Sequence, residues 1–99
     1  MKYRIESSPE IENHLRVLKR GQQVVVLDSI DKHLSHQPSV ETRNRKPMRP
    51  NPLAPWELRI GNLRVYYDVE EEPERIVYII AVGIKKRNEV QIGKEAVKL

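Results

Sequence analysis

Apolar and polar residues change their spacing several times along the chain, and each change marks an element. Residues 2–6 (KYRIE) alternate, with Tyr3 and Ile5 on one side, and read as a first strand. Ser8-Pro9 is a helix start, a serine N-cap before a proline at the first helical position, where its missing N–H costs nothing. Ile11, Leu15 and Leu18 then recur at helical spacing, and Gly21, after Lys19 and Arg20, fits the residue just past the helix end. Gln22 to His36 contains a strand-like Val24-Val25-Val26-Leu27 run. Its unbroken length and the Val24, Leu27, Ile30, Leu34 stripe predict a second helix.

From Pro38 to Pro55 the regular spacing stops. Five of the seven prolines lie here, so the segment is expected to be an irregular, partly extended loop. A loop of this length in a small domain is usually functional or mobile. Regular alternation returns at Trp56, Leu58 and Ile60, breaks at Gly61-Asn62, a glycine-first two-residue hairpin turn, and resumes at Leu63, Val65, Tyr67 and Val69. Glu70-Glu71-Glu72-Pro73 makes an acidic turn. Ile76 to Ile84 is apolar on both faces, as a central strand covered on both sides would be. The tail starts basic and is expected to end in a short strand or helical turn.

These elements predict an α+β domain spanning residues 1–99, with an antiparallel-dominated sheet and two N-terminal helices on one face, in the order β-α-α-β-β-β. With 38% hydrophobic residues, the chain can bury one modest core. It contains no cysteine, which excludes disulfides, thiolate metal sites and cysteine nucleophiles. No apolar run approaches the roughly 18 residues of a membrane-spanning helix, and the first residues lack a signal peptide's apolar stretch. A cytoplasmic location, without membrane association, is expected. No cofactor or metal is implied. His14, His33 and His36 have polar sequence neighbours and read as surface residues.

The formal charge of +4 favours a polyanionic partner, and the placement of the cations sharpens this. If Gly61-Asn62 closes the hairpin, Arg59 faces Arg64, Glu57 faces Tyr66, and Trp56 faces Tyr67. Trp56 and Tyr67 then fall on the apolar face as core residues. Two arginines directly opposite one another destabilise a sheet unless something neutralises them. A phosphate would do so, because the guanidinium fork matches its oxygens. Alternatively, the two form a solvated face, each paired with Glu57, Asp68 or Glu89. Two cations, a carboxylate and a phenol together would suit metal-free RNA cleavage. A base takes the ribose 2′-OH proton, the oxygen attacks the adjacent phosphorus, and arginines stabilise the charge that builds. Arg43, Arg45, Lys46 and Arg49 in the loop, and Lys86 and Arg87 after the central strand, could track a phosphate backbone or only keep loops soluble. Tyr66 is the candidate for stacking on a base.

The run WELRIGNLRVYYDVEEE followed by IVYIIAVGIKKRNEV, with the Arg43-to-Pro47 loop before it, resembles the second half of RelE/ParE-superfamily toxins. With the strand-then-two-helices opening, the likeness covers nearly the whole chain. It implies a toxin held silent by a cognate antitoxin. In the RelE branch it implies an endonuclease that enters the ribosome and cuts mRNA. Carried over, Arg59 and Arg64 match basic positions flanking the hairpin turn, and Lys85 falls where a RelE toxin has an arginine. The resemblance thus assigns Arg59, Arg64 and Lys85 to stabilising the phosphorane, and Glu57 or Tyr66, placed beside them by the hairpin register, would manage the protons. The sequence departs from the pattern at Glu57, where the RelE prototype has a lysine, and at Gln91, at the position of its C-terminal catalytic tyrosine. Other branches pair a carboxylate with a histidine, and no histidine follows His36 here. These departures motivate an alternative, a ParE-like inhibitor of DNA gyrase without nuclease activity. A third reading is a non-catalytic module that binds RNA or its antitoxin.

Overall fold

The computed structural model describes residues 2–99. The chain forms β1 (Arg4–Ser7), α1 (Ile11–Arg16), α2 (Arg20–Leu34), β2 (Arg45–Pro47), β3 (Trp56–Ile60), β4 (Leu63–Glu70), β5 (Ile76–Lys86), β6 (Glu89–Ile92) and β7 (Glu95–Val97). The strands make one sheet in the order β2-β3-β4-β5-β6-β7. β1 pairs parallel to the first part of β5, on the same side as β6. Every other pairing is antiparallel. The expected α+β class is therefore the observed one, with both helices on one face of the sheet.

That face holds the main core. Ile11 and Leu18, with Val26, Ile30 and Leu34 of α2, pack on Leu58, Val65, Tyr67, Val77, Ile79 and Val82. Trp56 stacks on Tyr67 with ring centroids 6.0 Å apart, and the Tyr67 hydroxyl donates to the Pro38 carbonyl at 2.7 Å. Both aromatics are core residues, as their alternation predicts. β5 is covered on both faces because a smaller cluster of Tyr66, Ala81, Val90 and Ile92 lies on the opposite side. The proline-rich loop crosses that side and packs Ala54, Met48 and Leu53 against the cluster.

The helical half departs from the periodicity in three ways. Ser8 caps the turn ahead of α1, accepting from the Glu10 N–H at 3.3 Å, but the helix begins at Ile11. Gly21 ends nothing. It lies inside α2 without a positive φ, while the stop falls at Val17, where α1 gives way to α2. The buried stripe of α2 is Val26, Ile30 and Leu34, whereas Val24 and Leu27 are exposed. A run of four consecutive apolar residues is compatible with more than one phase of a 3.6-residue period, and packing on the sheet selects one. The tail forms two strands, and the loop contributes β2, an edge strand ending at Pro47, where a missing N–H is tolerated.

Candidate functional site

The β3–β4 hairpin sets the geometry. Gly61 adopts φ +57°, the left-handed conformation its turn requires, and the register pairs Arg59 with Arg64 and Glu57 with Tyr66 as the alternation predicts. Directly opposed residues project to the same face, here the one away from the helices. The arginines share one acid. Arg59 Nε donates to Glu57 Oε1 at 2.6 Å, and Arg64 Nε lies 3.9 Å from Glu57 Oε2. Arg64 also donates to the carbonyls of Gly61 and Leu63, which fixes its guanidinium against the turn. Asp68 and Glu89 make no ion pair with either arginine. One carboxylate thus serves two guanidiniums, between the two arrangements that sequence alone left open.

These groups open onto a cavity of about 590 Å³ that also takes in Arg49, Lys85 and Asn88. Its lining side chains supply four cations (Arg49, Arg59, Arg64, Lys85) against one carboxylate, Glu57. Arg59 is half-exposed, while Arg64 and Glu57 are largely covered, at 14% and 11% side-chain exposure. Lys85 arrives because residues 83 and 85 of β5 share the arginines' face. Gly83 allows β6 to cross closely there: a Cβ at this position would lie 2.5 Å from the Gln91 carbonyl oxygen. Among the described residues, no group of three or more His, Asp or Glu side chains is placed to hold a metal ion.

The other expected site residues divide. Tyr66 is fully buried under the smaller cluster, so it neither stacks on a base nor lines the cavity. Its hydroxyl is the one buried side-chain polar atom among the described residues without a hydrogen-bond partner. Burial first, and then the Glu57 charge, raise its pKa, so the phenol stays protonated at neutral pH. Arg45 is also buried, with Nε donating to the Val40 carbonyl at 2.8 Å and a terminal nitrogen to the His33 carbonyl at 2.7 Å. It anchors the loop to the end of α2 and leaves the phosphate-tracking set. Its strand neighbour Lys46 stands opposite Glu57, on the arginines' face, with its ammonium 3.4 Å from Glu41. Arg43 and Arg49 are exposed. Lys86 lies on the helix side beside Leu18 and Ile84, and Arg87 sits at the β5–β6 turn with φ +58°. Only Lys85 of that basic triplet joins the arginines.

Gln91 is likewise on the helix side, next to Ile84 and Lys86, so the cavity gets its β6-side wall from Asn88 and Val90 instead. Asn51 and Asn88 are the polar lining residues that sequence reasoning missed; only Asn88's position in the turn after the basic triplet could have suggested it. Of the histidines, only His36 is exposed. His14 is half-buried, and its Nδ1 accepts from the Val82 N–H at 3.3 Å. That bond satisfies β5 in the interval where β1 has ended and β6 has not begun.

The fold has a counterpart among solved structures. It is similar to a chain in the crystal structure of the RelBE2 toxin–antitoxin complex from Mycobacterium tuberculosis, with a TM-score of 0.73 at 22% identity. The match covers 86% of this chain and 93% of that one. The architecture is RelE-like. No family model and no curated protein matches the sequence.

Proposed function

We propose that the protein is a toxin of a toxin–antitoxin pair that cleaves mRNA on the ribosome through the cavity beside the β3–β4 hairpin. The observation that carries this reading is the excess of cations there, with two guanidiniums fixed face to face and a single carboxylate between them. A scissile phosphate would take the guanidinium edges that Glu57 leaves free and supply the missing negative charge. Glu57 accepts the 2′-OH proton, the 2′ oxygen attacks phosphorus, and the 5′ oxygen leaves with a proton from Lys85 or water. Arg59 and Arg64 hold the charge that develops on the phosphate oxygens. The products are a 2′,3′-cyclic phosphate and a free 5′-OH, and the demand for a 2′-OH confines the reaction to RNA. Arg49, lining the cavity, and Lys46, opposite Glu57, serve as backbone contacts, with exposed Arg43 a further one on the loop. The fold likeness to a chain of a toxin–antitoxin complex supports the toxin role and an antitoxin as the silencing partner.

The test is the purified protein with programmed ribosomes and end-mapping of the message. Cuts bearing cyclic phosphate ends are expected, and Arg64→Ala should slow them roughly 10²–10³-fold. Growth arrest with intact message would reject the nuclease, and gyrase-linked DNA breaks under the same conditions would establish the other target.

A further inference from the structure

A second cavity is larger than the cationic one. It measures about 720 Å³ and lies where β1 stops and β6 has not yet begun. Its floor is apolar, formed by Ile80, Ala81 and Ile92 with Leu53 of the loop as one wall, while Glu6, Glu10 and Glu95 stand on its rim. The three glutamates are exposed, Glu6 pairs with Arg4 at 2.9 Å, and the cationic lining side chain is Lys94. The charge sign is therefore opposite to that of the hairpin cavity.

Beside this cavity runs the outer edge of β1, open past Tyr3, whose N–H donates to the Ser35 carbonyl at 2.6 Å. Arg4 N–H donates to the Arg75 carbonyl and Ser8 N–H to the Ile79 carbonyl. In a parallel ladder alternate residues face the partner strand, so the N–H and C=O groups of Ile5 and Ser7 face away from β5. β1 has one neighbour, β5, and β7 begins only beyond the break. Free main-chain groups next to an apolar trough are the two halves of an extended-peptide site: the edge supplies hydrogen bonds and the trough receives alternate side chains.

We propose that this break in the sheet binds an extended segment of a partner protein that is both basic and apolar, added as a strand along β1. Its apolar side chains enter over Ile80 and Ala81, and its lysines or arginines meet Glu6, Glu10 and Glu95. An acidic segment suited to the arginine cavity would be repelled here, so the two sites select different stretches of polypeptide.

The probes are three acetylated, amidated decapeptides: one alternating Lys with Val and Leu, the same peptide with Glu for Lys, and the Lys peptide N-methylated at every second amide. They are titrated into the intact protein and followed by amide chemical shifts. The Lys peptide should saturate with shifts at Ile5, Ser7, Ile80 and Gly93. It should bind roughly tenfold or more tightly than the Glu peptide, because like charges across an interface are disfavoured. N-methylation should abolish binding. Glu6→Lys with Glu95→Lys, both at exposed positions, should invert the charge preference. Equal binding of both charges, retained binding after N-methylation, shifts centred on Arg59 and Arg64, or no saturation at millimolar peptide would each overturn the proposal. None of these readouts depends on RNA cleavage.

Discussion

Replacing Arg45 with Met separates a structural cation from the cations that could meet RNA. The residue is 9% exposed, and its side chain donates to two main-chain carbonyls, Val40 O and His33 O. Hydrogen bonds to a charged donor contribute about 1.5–3 kcal/mol each, and the acceptors left behind would be partly covered. Met retains most of the aliphatic packing, so the loss isolates the two bonds. Taking the lower end for each, because the site borders solvent, gives about 3 kcal/mol. With a urea slope of about 1.5 kcal/mol per molar for a domain of this size, the midpoint should fall by about 2 M. Arg43→Met, at an exposed loop position, is the control and should leave the midpoint unchanged while weakening RNA binding. A fall of less than about 0.5 M for Arg45→Met at unchanged slope would refute the reasoning, because it would mean that the carbonyls are well solvated without the guanidinium.

Two further outcomes follow from buried polar groups. Tyr66→Phe removes a hydroxyl without a partner, so thermal unfolding should show unchanged stability or a gain of about 1 kcal/mol, and a loss of that size would reveal a hidden hydrogen bond to Glu57. Burial lowers the pKa of His14 and, separately, of His33, against the pull of Glu10 and Glu95 on His14. The folded state therefore favours the neutral rings. Their contribution to stability is complete above the free imidazole value of about 6.5 and is lost as the pH falls through the lowered folded values. A urea midpoint that declines between about pH 7 and 5, and declines less in His14→Gln, checks this; identical profiles would exclude His14 as a source.

The sheet was legible where alternation was strict. From Trp56 to Val69 a single turn assignment fixed five cross-strand pairs, because a slip of one residue would have exposed Leu58 and Val65. The same register by itself puts Arg59, Arg64 and Glu57 on one face. The helices were less legible. Gly21 has the local chemistry of a helix end, but the stop came from tertiary packing, and the VVVL run offers two phases. Arg45 misled for a related reason: composition marks it as one more loop cation, and nothing local shows that β2 turns alternate residues toward α2. Tyr66 reads as a stacking candidate because its same-face neighbours Arg64 and Asp68 are polar, and only the return of residues 48–54 over the sheet buries it. Long-range cover of this kind leaves no periodic trace.

The Arg59–Glu57–Arg64 arrangement carries a last consequence that separates charge storage from positioning. Glu57 offsets the repulsion between two guanidiniums at directly opposed strand positions. Glu57→Gln leaves that repulsion in place, and the fold should lose up to about 1 kcal/mol, the usual cost of an unfavourable cross-strand pair. The lining charge meanwhile rises by one, and the guanidinium edges that Glu57 held, chiefly that of half-exposed Arg59, become available to phosphate. Single-stranded RNA should therefore bind more tightly to the variant, and the slope of log affinity against log salt should steepen by about 0.7, the value for one further phosphate contact. Cleavage should fall by roughly 10²–10⁴ if Glu57 is the base. Fluorescence anisotropy over a salt series measures the first effect and single-turnover cleavage the second. Tighter binding with lost turnover means that the carboxylate does chemistry on a site whose affinity it restrains. If binding weakens instead, the carboxylate's role is to aim the arginines, and proton transfer must then be sought elsewhere in the cavity, with Lys85 the first group to replace.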